Sequence, residues 1–164
     1  MQTLPDGAPE TLNEAFAHIA SVQAPTIADL QVMVLVEAAG KALYEGLAAG
    51  VEDPRVAELL ARSGREELAH AHRVSRAIGR LTGTDYPVPE PQDNPYLAAP
   101  MPTPKVTREM LEGIAAAEFG GEALYEGWAA HCADPEAARL MRQNGKEEAQ
   151  HGERIGEVLR MMPA

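Results

Sequence analysis

The chain is written twice, so whatever fold it adopts has to use one structural unit two times. Shifting the numbering by 81 lays Glu37–Gly46, EAAGKALYEG, on Glu118–Gly127, EFGGEALYEG. The same shift, without a gap, lays Asp53-Pro54 on Asp134-Pro135, Gly64–His70 on Gly145–His151, and Thr26 on Thr107. Between these anchors the copies have drifted: Lys41 stands opposite Glu122, Leu47 opposite Trp128, Gly50 opposite His131 and Val51 opposite Cys132. The polar residues kept in both copies therefore stand out against a changed background.

Each copy reads as two helices. Thr26, with Asp29 three residues on, and Thr107 are N-caps, because a hydroxyl there accepts from a backbone N–H that the first turn leaves unpaired. From Thr26 the apolar positions Leu30, Met33, Val34, Leu43 and Leu47 recur at helical spacing until Gly50–Asp53 ends the run. Asp53-Pro54 and Asp134-Pro135 each set a capping acid before a proline at the first helical position, where its missing N–H costs nothing. The helices that follow run through Val56, Leu59, Leu60, Val74 and Ile78 to about Gly83, and through Leu140, Ile155, Val158 and Leu159 nearly to the end of the chain. Apolar residues make up 45% and aromatics only 4%, so the core is built from small side chains suited to close helix contacts. The expectation is an all-α fold: a first helical hairpin over 26–81 and a second over 106–164, within one domain. Between them, residues 82–105 carry prolines at 87, 89, 91, 95, 100, 102 and 104 and cannot continue a helix. Extended at ~3.1 Å per residue, such a linker spans a helix of roughly 40 Å, so it is read as a crossover returning the chain to the other end of a bundle. In the N-terminal segment 1–25, Thr11 to Val22 is read as a short amphipathic helix with Leu12, Phe16 and Ile19 on one face, packed outside the bundle or against a second subunit.

Charge and cysteine content remove several function classes. A formal net charge of −11, with no local basic cluster, argues against nucleic acid and anionic lipid as partners. The single cysteine, Cys132, leaves no disulfide framework and no paired Cys-x-x-Cys ligands, and is read as a small buried or half-buried residue. Neither a secretory signal nor a membrane span is visible, which makes a cytoplasmic location the expectation.

Carboxylates break the apolar pattern. The inward stripe of Met33, Gly40 and Leu47 includes Glu37, and the stripe of Leu60, Val74 and Leu81 includes both Glu67 and His70. The same phase in the second copy brings in Glu118, Glu148 and His151. Spacing of i, i+3 sets Glu67 beside His70 and Glu148 beside His151 on single helix faces. Four carboxylates in one core repel one another and lose hydration, so the arrangement holds only with protons or cations among them. One glutamate from each of two helices and Glu-x-x-His from each of the other two is the known ligand set of di-iron and di-manganese bundles. Mixed oxygen and nitrogen ligation suits iron or manganese better than copper, and a paired carboxylate site is atypical of structural zinc; the expected occupants are two iron ions, with manganese or zinc as alternatives.

The run Glu-x-x-Gly-x-Ala-Leu-Tyr-Glu-Gly, then Asp-Pro, then Gly-x-Glu-Glu-x-x-His, resembles the rubrerythrin-like branch of the ferritin-like superfamily. It does so in both halves, over most of residues 26–162. The resemblance implies a ferritin-like four-helix bundle made of two hairpins joined by a long crossover, carrying a di-iron centre that reacts with dioxygen or hydrogen peroxide. Its metal ligands would be Glu37, Glu67, His70, Glu118, Glu148 and His151. Tyr44 and Tyr125 match tyrosines that in such proteins donate hydrogen bonds to the carboxylates; a role as ordinary core aromatics competes with that one. Two departures matter. Rubrerythrins proper add a four-cysteine iron centre, which Cys132 alone cannot form, so electrons would come from a separate donor. Their extra glutamate one turn beyond the third ligand helix's glutamate falls here on Gly121, with Glu122 a poor substitute.

The leading reading is therefore a ferroxidase or peroxidase, with an iron-binding or storage protein as one alternative and a structural bundle holding zinc or a vestigial site as another. Glu66 and Glu147, turned about 100° from their neighbours, are read as surface charges, and His18, His72 and His131 as surface histidines. Gly40 and Gly121 would let helices approach closely, while Met33 and Trp128 fill core. A homodimer is compatible with the loose N-terminal segment.

Overall fold

The structure is a computed structural model describing residues 2–99 and 103–162. Five α-helices, and no strand among the described residues, make an all-α ferritin-like bundle. Helix α1 spans Leu12–Ser21, α2 Ile27–Ala49, α3 Pro54–Thr82, α4 Arg108–Ala130 and α5 Pro135–Met161. Each start is made by the residue type that the physics demands. Thr26 and Asp29 form a reciprocal capping box on α2, and Thr11 with Glu14 forms another on α1. Asp53 accepts from the Arg55 N–H, and Asp134 from those of Glu136 and Ala137, each with proline at the first helical position. Helix α3 stops at Gly83, whose φ of +87° is a left-handed conformation that a side chain would resist.

Helix α2 packs along α3, α4 along α5, and α3 against α5, so the two long amphipathic helices line the middle. The backbones of α2 and α4, by contrast, barely approach one another. Gly64 and Gly145 set the distance within each hairpin. A Cβ on Gly64 would lie 3.0 Å from Tyr44 Cβ and 3.1 Å from the Lys41 carbonyl, and one on Gly145 would meet Tyr125 Cβ and the Glu122 carbonyl at 3.1 and 3.2 Å. The same close approach thus occurs twice, at positions 81 apart.

The crossover is tied down rather than loose. Asn94 is buried; its Nδ2 donates to the Leu35 carbonyl of α2 at 2.8 Å while its Oδ1 accepts from the Tyr96 N–H. Tyr96 donates to the Pro9 carbonyl, and Ser75 Oγ to that of Tyr86. The segment ends against Gly50, at the far end of α2, where a Cβ would meet Pro104 and Val106. Pro100 and Pro102 lie outside the described residues.

Helix α1 packs on α2, burying Ala15 and Ile19, and Trp128 Nε1 donates to the Val22 carbonyl at 2.8 Å. Phe16, expected on the buried face, is 43% exposed, and Leu81, expected in the inward stripe, is 40% exposed. Phe16 lies one position beyond Ala15, which takes the contact, and Leu81 lies in the last turn of α3. Covered by α1 and the crossover, α2 is buried on every side from Val32 to Gly40, whereas much of α4 faces solvent.

Candidate metal centre

The six polar residues singled out from the repeat converge at the centre of the bundle. Glu37 comes from α2, Glu118 from α4, Glu67 and His70 from α3, and Glu148 and His151 from α5. All are buried except Glu118, whose side chain is 11% exposed. Their ligand atoms form two overlapping groups, Glu37, Glu67, His70, Glu148 and Glu67, Glu118, Glu148, His151, within each of which they lie inside 4.8 Å of one another. Glu67 and Glu148 belong to both groups, so these two carboxylates stand between two cradles. Gly40 and Gly121 make room for them: a Cβ there would lie 3.1 Å from Glu67 Oε2 and 3.1 Å from Glu148 Cγ.

The histidines carry the test of whether a cation fits. His70 Nδ1 lies 3.6, 3.8 and 3.2 Å from oxygens of Glu37, Glu67 and Glu148. His151 Nδ1 lies 3.0, 3.6 and 3.6 Å from oxygens of Glu67, Glu118 and Glu148. Neither nitrogen has a hydrogen-bond partner, although both are buried. A buried imidazole nitrogen without a hydrogen bond, ringed by carboxylates, is satisfied by a metal ion or by a proton. The rings stack with centroids 5.2 Å apart, one serving each cradle.

Glu66 and Glu147 are not surface charges. His70 Nε2 meets Glu147 Oε2 at 3.2 Å, and His151 Nε2 meets Glu66 Oε2 at 3.0 Å, each bond crossing between hairpins. The turn of about 100° that takes Glu147 off the inner face of α5 aims it at α3, reaching His70 from behind. Arginines complete the chain: Arg73 grips both oxygens of Glu147 at 2.7 and 3.0 Å, and Arg154, itself buried, reaches Glu66 at 3.0 Å and Ser63 at 2.6 Å. An ionised carboxylate only accepts, so each Nε2 donates and Nδ1 is the nitrogen turned toward the cradle, able to ligate a cation once its proton is displaced. The spacing of 81 also relates Arg73 to Arg154, a signal in the repeat that the sequence reading left unused.

Tyr44 donates to Glu118 Oε1 and Tyr125 to Glu37 Oε1, again from one hairpin to the other. Burial, then the neighbouring carboxylates, push both phenols up, so they stay protonated donors. Without metal, protons hold the cluster together. Burial and then Glu148 push the Glu67 carboxyl well up, and burial raises Glu118 to about 7. Burial opposes charge on His151, but the carboxylates of Glu118, Glu148 and Glu67 outweigh it and push the ring up to about 12. Burial likewise works against Glu147, where His70 and Arg73 prevail and hold it down at about 2.

His72 and His131 are exposed as expected, whereas His18 is half-buried and bonds Asp29 at 2.7 Å. Cys132 is half-buried, and Met33 and Trp128 lie in the core. No helix among the described residues is long and apolar enough to cross a membrane. No curated protein and no solved structure matches the chain. The rubrerythrin family model does, over residues 30–159, a stretch that takes in both hairpins and all six central side chains, and the chain belongs to that family.

Proposed function

We propose that the protein is a carboxylate-bridged di-iron oxidoreductase that oxidises ferrous iron with dioxygen or hydrogen peroxide. The observation that carries this reading is the pair of cradles sharing Glu67 and Glu148, each with one imidazole nitrogen that lacks a hydrogen bond. Glu37, Glu67, His70 and Glu148 would hold one iron, and Glu67, Glu118, Glu148 and His151 the other. Two ferrous ions there would supply the two electrons that reduce a peroxide, with two protons, to two waters. The side chains do the rest. Four carboxylates balance the charge of two divalent cations. Glu147 and Glu66 fix the histidine tautomers, and Tyr44 and Tyr125 hold one oxygen each of Glu118 and Glu37. Cys132 alone forms no second iron centre within residues 1–164, so on this reading the electrons for turnover come from a donor other than these residues.

Anaerobic titration with ferrous iron, followed by peroxide or air under optical monitoring, should show oxidation of two irons per chain. Glu67→Ala should lose that stoichiometry while keeping its helical circular dichroism. Mineral growth far beyond two irons would favour storage, tight zinc binding without oxidation would favour a structural site, and unchanged oxidation in Glu67→Ala would sink the assignment.

A further inference from the structure

The side of the bundle where α2 and α4 stand apart is open, and the opening leads inward to the carboxylates. It is a groove of about 670 Å³ walled by Phe16 of α1, Met33 and Val36 of α2, and Met110, Ile114 and Ala117 of α4. Its floor holds Glu37, Glu67, Glu118 and Glu148, the only charged side chains among the described residues that line it. The drift between the two copies has emptied this face. Gly113 and Gly120 stand where the first copy has the buried Val32 and Ala39, and a Cβ on either glycine would meet nothing within 4 Å.

We propose that this groove is a binding site for an uncharged, largely apolar organic molecule of intermediate size, seated with one end against the Glu37 and Glu118 edge of the cluster. As the substrate pocket of the di-metal site it rests on the reading above; as a binding site it stands on the groove alone. The volume falls within the roughly 300–1,000 Å³ typical of small-molecule sites. Phe16 and Met110 at the rim leave 43% and 37% of their surface to water, and an aliphatic or aromatic body in the groove covers it. An anion is repelled by the net charge of −11 and, in the metal-free chain, by the carboxylate floor as well. A second copy of the chain is a poorer occupant: the floor includes Tyr44 at 1% and Glu67 at 5% exposure, and two-fold pairing on this face would set groove against groove.

The test uses the metal-free full chain and N-phenyl-1-naphthylamine, an uncharged fluorescent probe. Binding should saturate at one per chain, be competed by 1-decanol and resist decanoate at pH 8. Gly113→Phe and Ala117→Phe, which fill the groove, should each weaken it at least tenfold with helical circular dichroism retained, whereas Ala116→Phe, exposed and outside the groove, should not. Absent saturation, equal competition by decanoate, or undiminished binding in both filled variants overturns the proposal. A dimer that Ala117→Phe dissociates, with no probe bound to the dimer, also overturns it and makes this face an interface between copies. Cobalt titration of the wild type keeps the two readings apart. Two cobalts without probe binding refute the groove alone, and probe binding without cobalt refutes the di-metal reading while leaving the groove standing.

Discussion

Replacing Glu147 with alanine strips the outer nitrogen of His70 of its acceptor while leaving all six inner side chains in place. The bond is 3.2 Å long, and the carboxylate that accepts it is ionised at neutral pH, held at about 2 by His70 and Arg73 against its partial burial. A hydrogen bond to a charged group contributes about 1.5–3 kcal/mol. Glu147 keeps 21% exposure, so water can take over part of its role, and the lower end applies. About 1.5 kcal/mol is roughly a tenfold loss of metal affinity, at the lower end of the 10–100-fold that partners of metal-binding histidines typically carry. The loss of a negative charge near the site acts in the same direction. Chelator competition with cobalt at pH 7.5 measures it. Glu66→Ala should behave alike through His151, Glu147→Gln should lose less because an amide oxygen can still accept, and Glu153→Ala, exposed on the same helix, should lose nothing. An affinity within twofold of wild type in Glu147→Ala, or an equal loss in Glu153→Ala, would refute the argument that the outer carboxylate sets the imidazole's working form.

The metal-free protein should lose thermal stability as pH rises from 6 to 9. His151, raised from 6.5 to about 12, stabilises the fold fully below 6.5 and progressively less toward 12, and Glu118, raised from 4.5 to about 7, adds to the loss up to 7. The lowered carboxylates Glu66 and Glu147 contribute fully above about 4.5 and stay constant over this window, so a melting temperature that climbs from pH 6 to 9 would contradict the cluster's protonation. Bound metal displaces those protons, so cobalt should raise the melting temperature more at pH 8 than at pH 6. Tyr44→Phe and Tyr125→Phe should each weaken cobalt binding severalfold, by freeing Glu118 and Glu37 respectively; equal affinity in both would make the tyrosines mere core. Gly64→Ala should destabilise the chain by about 1–3 kcal/mol, because backbone must move, whereas Gly113→Ala, with open space around it, should stabilise it by up to about 1 kcal/mol. Urea unfolding reads both, and changes of the same sign would contradict the packing.

The repeat alone was enough to establish two hairpins, the capped starts at Thr26, Asp53, Thr107 and Asp134, and the six inward polar residues. Those features are local: caps act within one turn, and helical spacing assigns a face without knowledge of any partner. Which carboxylates are shared, and which nitrogen of each histidine faces inward, are relations between helices. Glu67 and Glu148 lie between the cradles only because α3 packs on α5. The same packing turns Glu66 and Glu147 from apparent surface charges into partners of the opposite hairpin's histidine, since a residue 100° off one helix's inner face can point at its neighbour. The fate of Phe16 and the groove beside it belong to tertiary structure as well. Spacing marks a side chain as apolar, but only the distance between α2 and α4 decides whether it is buried or lines an opening.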